Sequence, residues 1–319
     1  MMSRNIYEQQ SANKRNTMLV MVLFALFVGF LGYGFDVYFF GFGNGGLRIP
    51  IATIVALCFG AWSAVSSLEA GASRVLTSSD AIPIDESDPK YKVYRDVVEE
   101  MSIASGLPKP QLYVIPDPDP NAFATGKDPE HACIAVTEGL LEKLNREELQ
   151  GVIGHEMSHV RNYDIRMMTV VAALVGAVLL LSESGLRAGR FGVGRRRSSS
   201  SRGNAGAILL VLWLVGLIVA PVIARILAMT VSRQREYLAD ASGAELTRNP
   251  KALASALKKI DEAVEPTRSI KKGTASLCIA DPLGSTVNAK EGFVAELFGT
   301  HPPISKRILV LQAMSYQQA

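Results

Sequence analysis

At 319 residues with 48% apolar side chains, the chain can hold more than one structural unit and is richer in apolar residues than water-soluble domains usually are. A formal net charge of only +3 says little about partners. Three scattered cysteines, Cys58, Cys133 and Cys278, with no C-x-x-C spacing, exclude a disulfide framework and fit a catalytic part on the reducing side of a membrane.

In chain order, four apolar stretches are candidate membrane spans, each measured against the need for about 20 apolar residues. They cover 18–34, 49–65, 167–181 and 207–226. The third is short, and a buried helix of the soluble part is its alternative. The first is read as a retained anchor, since no A-x-A cleavage site follows it. Arg4, Lys14 and Arg15 precede it against Glu8, whereas the loop after it carries Asp36 and Arg48. The positive-inside rule therefore puts the N-terminus in the cytoplasm and that loop outside. Between the third and fourth stretches lie Arg187, Arg190, Arg195, Arg196, Arg197 and Arg202 in a serine-rich run. It reads as a flexible loop attracted to anionic lipid headgroups rather than to nucleic acid.

The expected organisation is thus an N-terminal tail with two transmembrane helices over 1–68, a first soluble block over 69–166, a hydrophobic hairpin over 167–227 and a second soluble block over 228–319. In the first block the pattern Val97, Val98, Met101, Ile103 predicts a helix from Tyr94 to Ile103, ending at Gly106. QLYVIP and ACIAVTEG predict strands. Two helices follow, one after Thr137 and one after Asn145, where Asn145 and Glu148 form a capping pair.

The second of these helices reads GVIGHEMSHVRNYD. His155 and His159 are four residues apart, so they share one helix face and can bind one Zn²⁺. Glu156, beside the first of them, is the expected acid–base residue for the attacking water. A catalytic zinc wants a third protein ligand. Downstream, SRQREYLADASGAELT offers Glu236, Asp240 and Glu245. Spacing alone leaves the choice open, and a solvated face paired to Arg233 and Arg235 is as good a reading. Asp240 can instead hold a ligand histidine from behind.

HExxH followed by SRQREYLADASGA resembles the HtpX-like branch of the M48 metalloprotease family. NAFATG (Asn121–Gly126), AVTEGLL (Ala135–Leu141), HVRNYD after the zinc helix and GTHPPISKRI (Gly299–Ile308) are similar to further family segments, so the resemblance covers nearly the whole chain. It implies Glu236 as third ligand. One Zn²⁺ per chain is expected, with Asp240 and Asp164 as carboxylates behind the ligands. The fold it implies is α+β and mainly helical, a zincin-type metalloprotease domain in an integral membrane protein, with a small edge-accessible sheet beside the HExxH helix. It further implies a multi-pass enzyme of the cell membrane with catalysis on the cytoplasmic side, acting on misfolded or damaged membrane proteins.

His301, in THPP, is the candidate second oxyanion donor, with Arg307 as its support or simply on a helix face. Asn121, Ala122, Phe123, Ala124, Thr125 and Gly126 are expected to form an edge strand to which a polypeptide substrate adds by backbone hydrogen bonds. His131 reads as solvated. A catalytically silent adaptor and a selective processing protease are the alternatives. Partners are then polypeptides and the lipid bilayer, with no nucleic acid.

Overall fold

The computed structural model describes residues 6–40, 49–175, 233–263, 269, 277–280 and 302–317. The Arg-rich loop, the fourth apolar stretch and His301 lie outside the described residues, as does the end of the third stretch. Two long helices open the chain, α1 (Ile6–Phe40) and α2 (Ile51–Ser78). Within them Glu8–Gly34 and Ile51–Ser78 are long and apolar enough to cross a membrane. The 27 residues of the former span about 40 Å at about 1.5 Å each.

The two helices are antiparallel and close. A Cβ at Gly32 would stand 2.6 Å from the Ala52 carbonyl oxygen, and one at Gly60 would stand 3.1 Å from Ala25 Cα. Small residues at such crossings replace the hydrophobic drive that lipid does not supply. Asp36 lies inside α1, not in the loop expected there. Its carboxylate accepts from Ala52 N at 3.1 Å, Thr53 N at 2.7 Å and Thr53 Oγ1 at 2.7 Å, and so caps the start of α2. Outward, the pair presents Leu19, Val22, Leu26, Phe30, Ile54, Val55, Trp62 and Val65, all exposed.

Behind α2 the chain forms β1 (Ile82–Pro83), α3 (Lys92–Ser105), β2 (Gln111–Ile115), β3 (Ala122–Thr125) and β4 (Cys133–Thr137). The sheet order is β1-β2-β4-β3. β2 and β4 are parallel, while β1 and β3 are antiparallel to their neighbours. In α3, Tyr94, Val97, Val98 and Met101 are buried as expected, but Ile103 is 77% exposed. Gly106 ends the helix in the left-handed region.

Alternation along the strands splits the core in two. Even residues (Leu112, Ala122, Ala124, Ile134, Val136) pack with α3 and the helices that follow. Odd residues (Ile115, Phe123, Cys133, Ala135) belong to a second cluster, which takes in Val20, Phe24 and Val28 of α1 and Val75 and Leu76 of α2. Both faces are therefore buried, which is why these strands read as unbroken apolar runs.

The helices continue as α4 (Glu138–Lys143), capped by Thr137, and α5 (Arg146–Arg161), capped by Asn145. A tight turn with Tyr163 at φ 58° leads into α6, described over 164–175. Its Met167, Met168, Val170, Val171 and Leu174 join the core shared with α1 and α2. Then come α7 (Arg233–Thr247), α8 (Pro250–Asp261) and α9 (Ile304–Gln317).

Glu148 ties α5 to α8. It completes the capping box with Asn145, accepts from Ser255 Oγ at 2.7 Å and pairs with Lys259 Nζ at 2.7 Å. Burial alone would raise its pKa, but Lys259, Ser255 and the Asn145 amide outweigh burial and lower it below 4.5. The pair's stabilisation is thus complete above pH 4.5 and is lost as pH falls through the lowered value. Glu148→Ala is expected to cost about 2–3 kcal/mol at neutral pH, and the melting temperatures of wild type and Glu148→Gln to converge as acid is added. Thermal unfolding in detergent across pH checks both.

Candidate metal centre

Helix α5 is buried along nearly its whole second half, from Gly151 to Val160. His155 and His159 project from one face with ring centroids 4.8 Å apart and planes at 88°. Their Nε2 atoms face each other at 3.2 Å. Helix α7 brings Glu236 to this pair, with Oε1 3.6 Å from His159 Nε2 and Oε2 3.8 Å from His155 Nε2. All three side chains are buried, and their ligand atoms lie within 4.8 Å of one another. Ligands bound at about 2.0–2.1 Å in a tetrahedron stand about 3.3 Å apart, so three atoms at these separations fit one four-coordinate metal ion.

Each imidazole is held from behind through Nδ1. His155 Nδ1 lies 3.0 Å from Asp240 Oδ1, and His159 Nδ1 lies 3.1 Å from Asp164 Oδ2. A carboxylate there keeps the proton on Nδ1 and turns the Nε2 lone pair to the centre. The three acids that spacing could not rank now separate. Glu236 faces both Nε2 atoms, Asp240 sits behind His155, and Glu245 is exposed. Arg235 does not pair with the acids of its own helix; its Nη1 is 3.5 Å from Asp164 Oδ1.

Arg307 of α9 is completely buried. It donates Nε and Nη2 to the two oxygens of Asp240 at 2.8 and 2.7 Å, and Nη1 to the Ile279 carbonyl at 2.9 Å. This fork offsets part of the cost of burying Asp240 as an ion. Burial would raise the Asp240 pKa, yet Arg307 and His155 bring it down to about 2. The His155 pKa is lowered, first by burial and then by Arg307 against the pull of Asp240. For His159, burial is outweighed by Asp164 and Glu236, and its pKa rises to about 9. That local field draws positive charge, and a proton or a metal cation answers it alike.

Glu156 is 1% exposed, and neither carboxylate oxygen has a hydrogen-bond partner among the described residues. Its pKa is pushed up to about 7, first by burial and then by Glu236, against His159, Arg307 and the Ala124 amide, which faces it. A carboxyl group poised there can take and return a proton near neutrality.

Strand β3 is the sheet edge beside α5, and all six residues Asn121–Gly126 are buried. They do not act as one surface. Phe123 points to the α1–α2 side, Thr125 Oγ1 meets Thr169 Oγ1 at 2.8 Å, and Gly126 N donates to Thr169 Oγ1 at 3.0 Å. The outer edge at Ala122 is taken by the chain itself, since Ile279 N–H donates to the Ala122 carbonyl at 2.9 Å and Asn121 Nδ2 to the Ala280 carbonyl at 3.3 Å. His131 is exposed, with Nδ1 2.5 Å from Asp128 Oδ1.

Sequence reasoning missed the crossing that brings Glu236 into place. A Cβ on Gly243 would lie 2.8 Å from His155 N and 3.1 Å from Gly154 C. The α5 and α7 backbones therefore touch. The available signal was a glycine inside each helix, where it costs about 1 kcal/mol against alanine unless packing needs it.

A family model described as Peptidase family M48 matches residues 90–315. A Protease HtpX homolog from Caldanaerobacter subterraneus subsp. tengcongensis is 45% identical over 315 residues, 99% of this chain and 100% of that protein. One from Thermoanaerobacter pseudethanolicus is 43% identical over 315 residues, again 99% of this chain and 100% of that protein. Among solved structures, Ste24p of S. mikatae matches with a TM-score of 0.49 and 17% identity, over 95% of this chain and 66% of that one.

Gly243→Val is expected to push α7 off α5 and to lower metal affinity at least about tenfold, the scale on which misplaced ligand supports act. Metal stoichiometry after dialysis, with helix content from circular dichroism as control, checks this.

Proposed function

The chain belongs to peptidase family M48, and from that premise we propose a zinc-dependent membrane endopeptidase in which His155, His159 and Glu236 hold the metal and Glu156 moves the proton. The enzyme is a membrane metallopeptidase; its zinc, its residue roles and its targets are our reading. One observation carries it: two imidazole Nε2 atoms and a carboxylate converge, with a second carboxylate behind each ring. Two nitrogens and one oxygen at that spacing suit zinc.

When bound, zinc supplies Lewis acidity, polarising a carbonyl oxygen and acidifying a water at its open position. Glu156 accepts the proton of the attacking water and returns it to the leaving amine. Its buried carboxylate, poised near neutrality, suits both halves of that exchange. Asp240 and Asp164 hold the rings, and Arg307 holds Asp240. The substrate is a polypeptide. In our reading it adds as a strand against β3 at Ala124, between the Ala122 carbonyl held by Ile279 and the Gly126 amide held by Thr169. Recognition by backbone suits a broad choice of misfolded or damaged membrane proteins, and His301 remains the candidate second oxyanion donor.

We place catalysis on the cytoplasmic side of the cell membrane, with residues 1–68 as anchor and blocks 69–166 and 228–319 as the protease part. Two observations support this side. Arg4, Lys14 and Arg15 flank the first span, and the same end of α1 touches the metal helix, where Gln10 Nε2 meets the Arg161 carbonyl at 2.8 Å.

With an unfolded model protein as substrate in detergent, Glu156→Gln is expected to retain zinc and to lose cleavage by about 10²–10⁴-fold or more. Chelation is expected to abolish wild-type cleavage and added Zn²⁺ to restore it. Equal cleavage by wild type and Glu156→Gln would sink the mechanism.

A further inference from the structure

Helix α1 starts at Ile6, well ahead of the apolar run that opens at Met18, and its first turns lie against the turn that ends the metal helix. Three side chains grip that turn. Gln10 Nε2 donates to the Arg161 carbonyl at 2.8 Å. Asn13 Nδ2 donates to the Asn162 carbonyl at 2.9 Å and to Asp164 Oδ1 at 2.7 Å. Lys14 Nζ sits 4.1 Å from the centre of the Tyr163 ring. The Arg161 and Asn162 carbonyls are among the last of α5, which no intrahelical amide can satisfy.

Asn13 differs from its neighbours in what it reaches. Both its partners are acceptors, so the amide nitrogen, not the oxygen, must face them. It is 7% exposed, and Asp164 is 2% exposed. The oxygen of Asp164 that Asn13 leaves over, Oδ2, is the one on His159 Nδ1. Arg235 approaches the Asn13-bound oxygen at only 3.5 Å. A neutral donor fixes the carboxylate without cancelling its charge, so Asp164 keeps its pull on the imidazole.

We propose that Asn13, on the N-terminal membrane helix, is a positioning residue of the metal centre, acting through Asp164 on His159. The inference rests on the reading of His155, His159 and Glu236 as metal ligands. It makes α1 part of the site and not only its anchor, because the helix that enters the bilayer sets the orientation of a ligand.

The test uses the full-length protein in detergent, with Co²⁺ as a visible-light probe of the coordination and Zn²⁺ competition for affinity. Asn13→Ala is expected to raise the Zn²⁺ Kd about tenfold, the low end for a group that supports a ligand from outside, and to change the Co²⁺ absorption bands. Asn13→Asp, nearly isosteric but without the donor and with a second carboxylate facing Asp164, weakens binding further. Gln10→Ala, which loses a grip on the same turn but none on Asp164, binds Zn²⁺ like wild type. The metal-induced rise in Tm, measured within each variant, separates the site from general destabilisation. Wild-type Kd and bands in both Asn13 variants overturn the proposal, as does equal weakening in Gln10→Ala. If wild type and His159→Ala bind metal alike, the metal-centre reading fails and the proposal falls with it.

Discussion

Two neighbouring imidazoles inside a protein have no reason to turn their Nε2 atoms toward each other. Here each is forced to, because a buried carboxylate takes the proton side of each ring. Those carboxylates are ions in a dry interior and must themselves be held. Asp240 is held by Arg307, which arrives on α9 at the far end of the chain. Asp164 is held by Asn13, which arrives on α1 at the near end. The pairing of two ring nitrogens thus draws both termini of the described chain onto one short helix.

The parts legible in the sequence are those set by local geometry. HExxH fixes two histidines on one face because four residues make about one helical turn. Asn145 and Glu148 announce the start of α5 because a capping box needs only its own first turn. The choice among Glu236, Asp240 and Glu245 was not legible from spacing, since it depends on how α7 is rotated against α5. That rotation is fixed by the backbone contact at Gly154 and Gly243, roughly ninety residues apart in the chain. Family resemblance pointed to Glu236 without supplying this reason. Asn13 and Gln10 carried no signal, for a polar residue just before a membrane span is ordinary. Asp36 read as loop because only the partner helix reveals that it caps α2.

The edge strand shows where a motif outruns its geometry. NAFATG looks like one recognition surface, yet its side chains serve three different neighbours. Phe123 anchors toward α1 and α2, Thr125 meets α6, and Asn121 holds the segment at Ala280. The Ala122 carbonyl on the outer edge is already taken by the Ile279 amide, and the Gly126 amide by Thr169.

The odd face of the sheet belongs to one apolar cluster with the middle of α1 and the last turns of α2. No boundary can be drawn where the membrane helices stop and a detachable catalytic module begins. A truncation that starts after Ser78 would remove Val20, Phe24, Val28, Val75 and Leu76 from the cluster that holds Ile115, Phe123, Cys133 and Ala135, turning part of an interior into a greasy surface. Such a fragment would clump or seek detergent instead of dissolving, and an inhibitor screen run on it would be sampling a damaged scaffold.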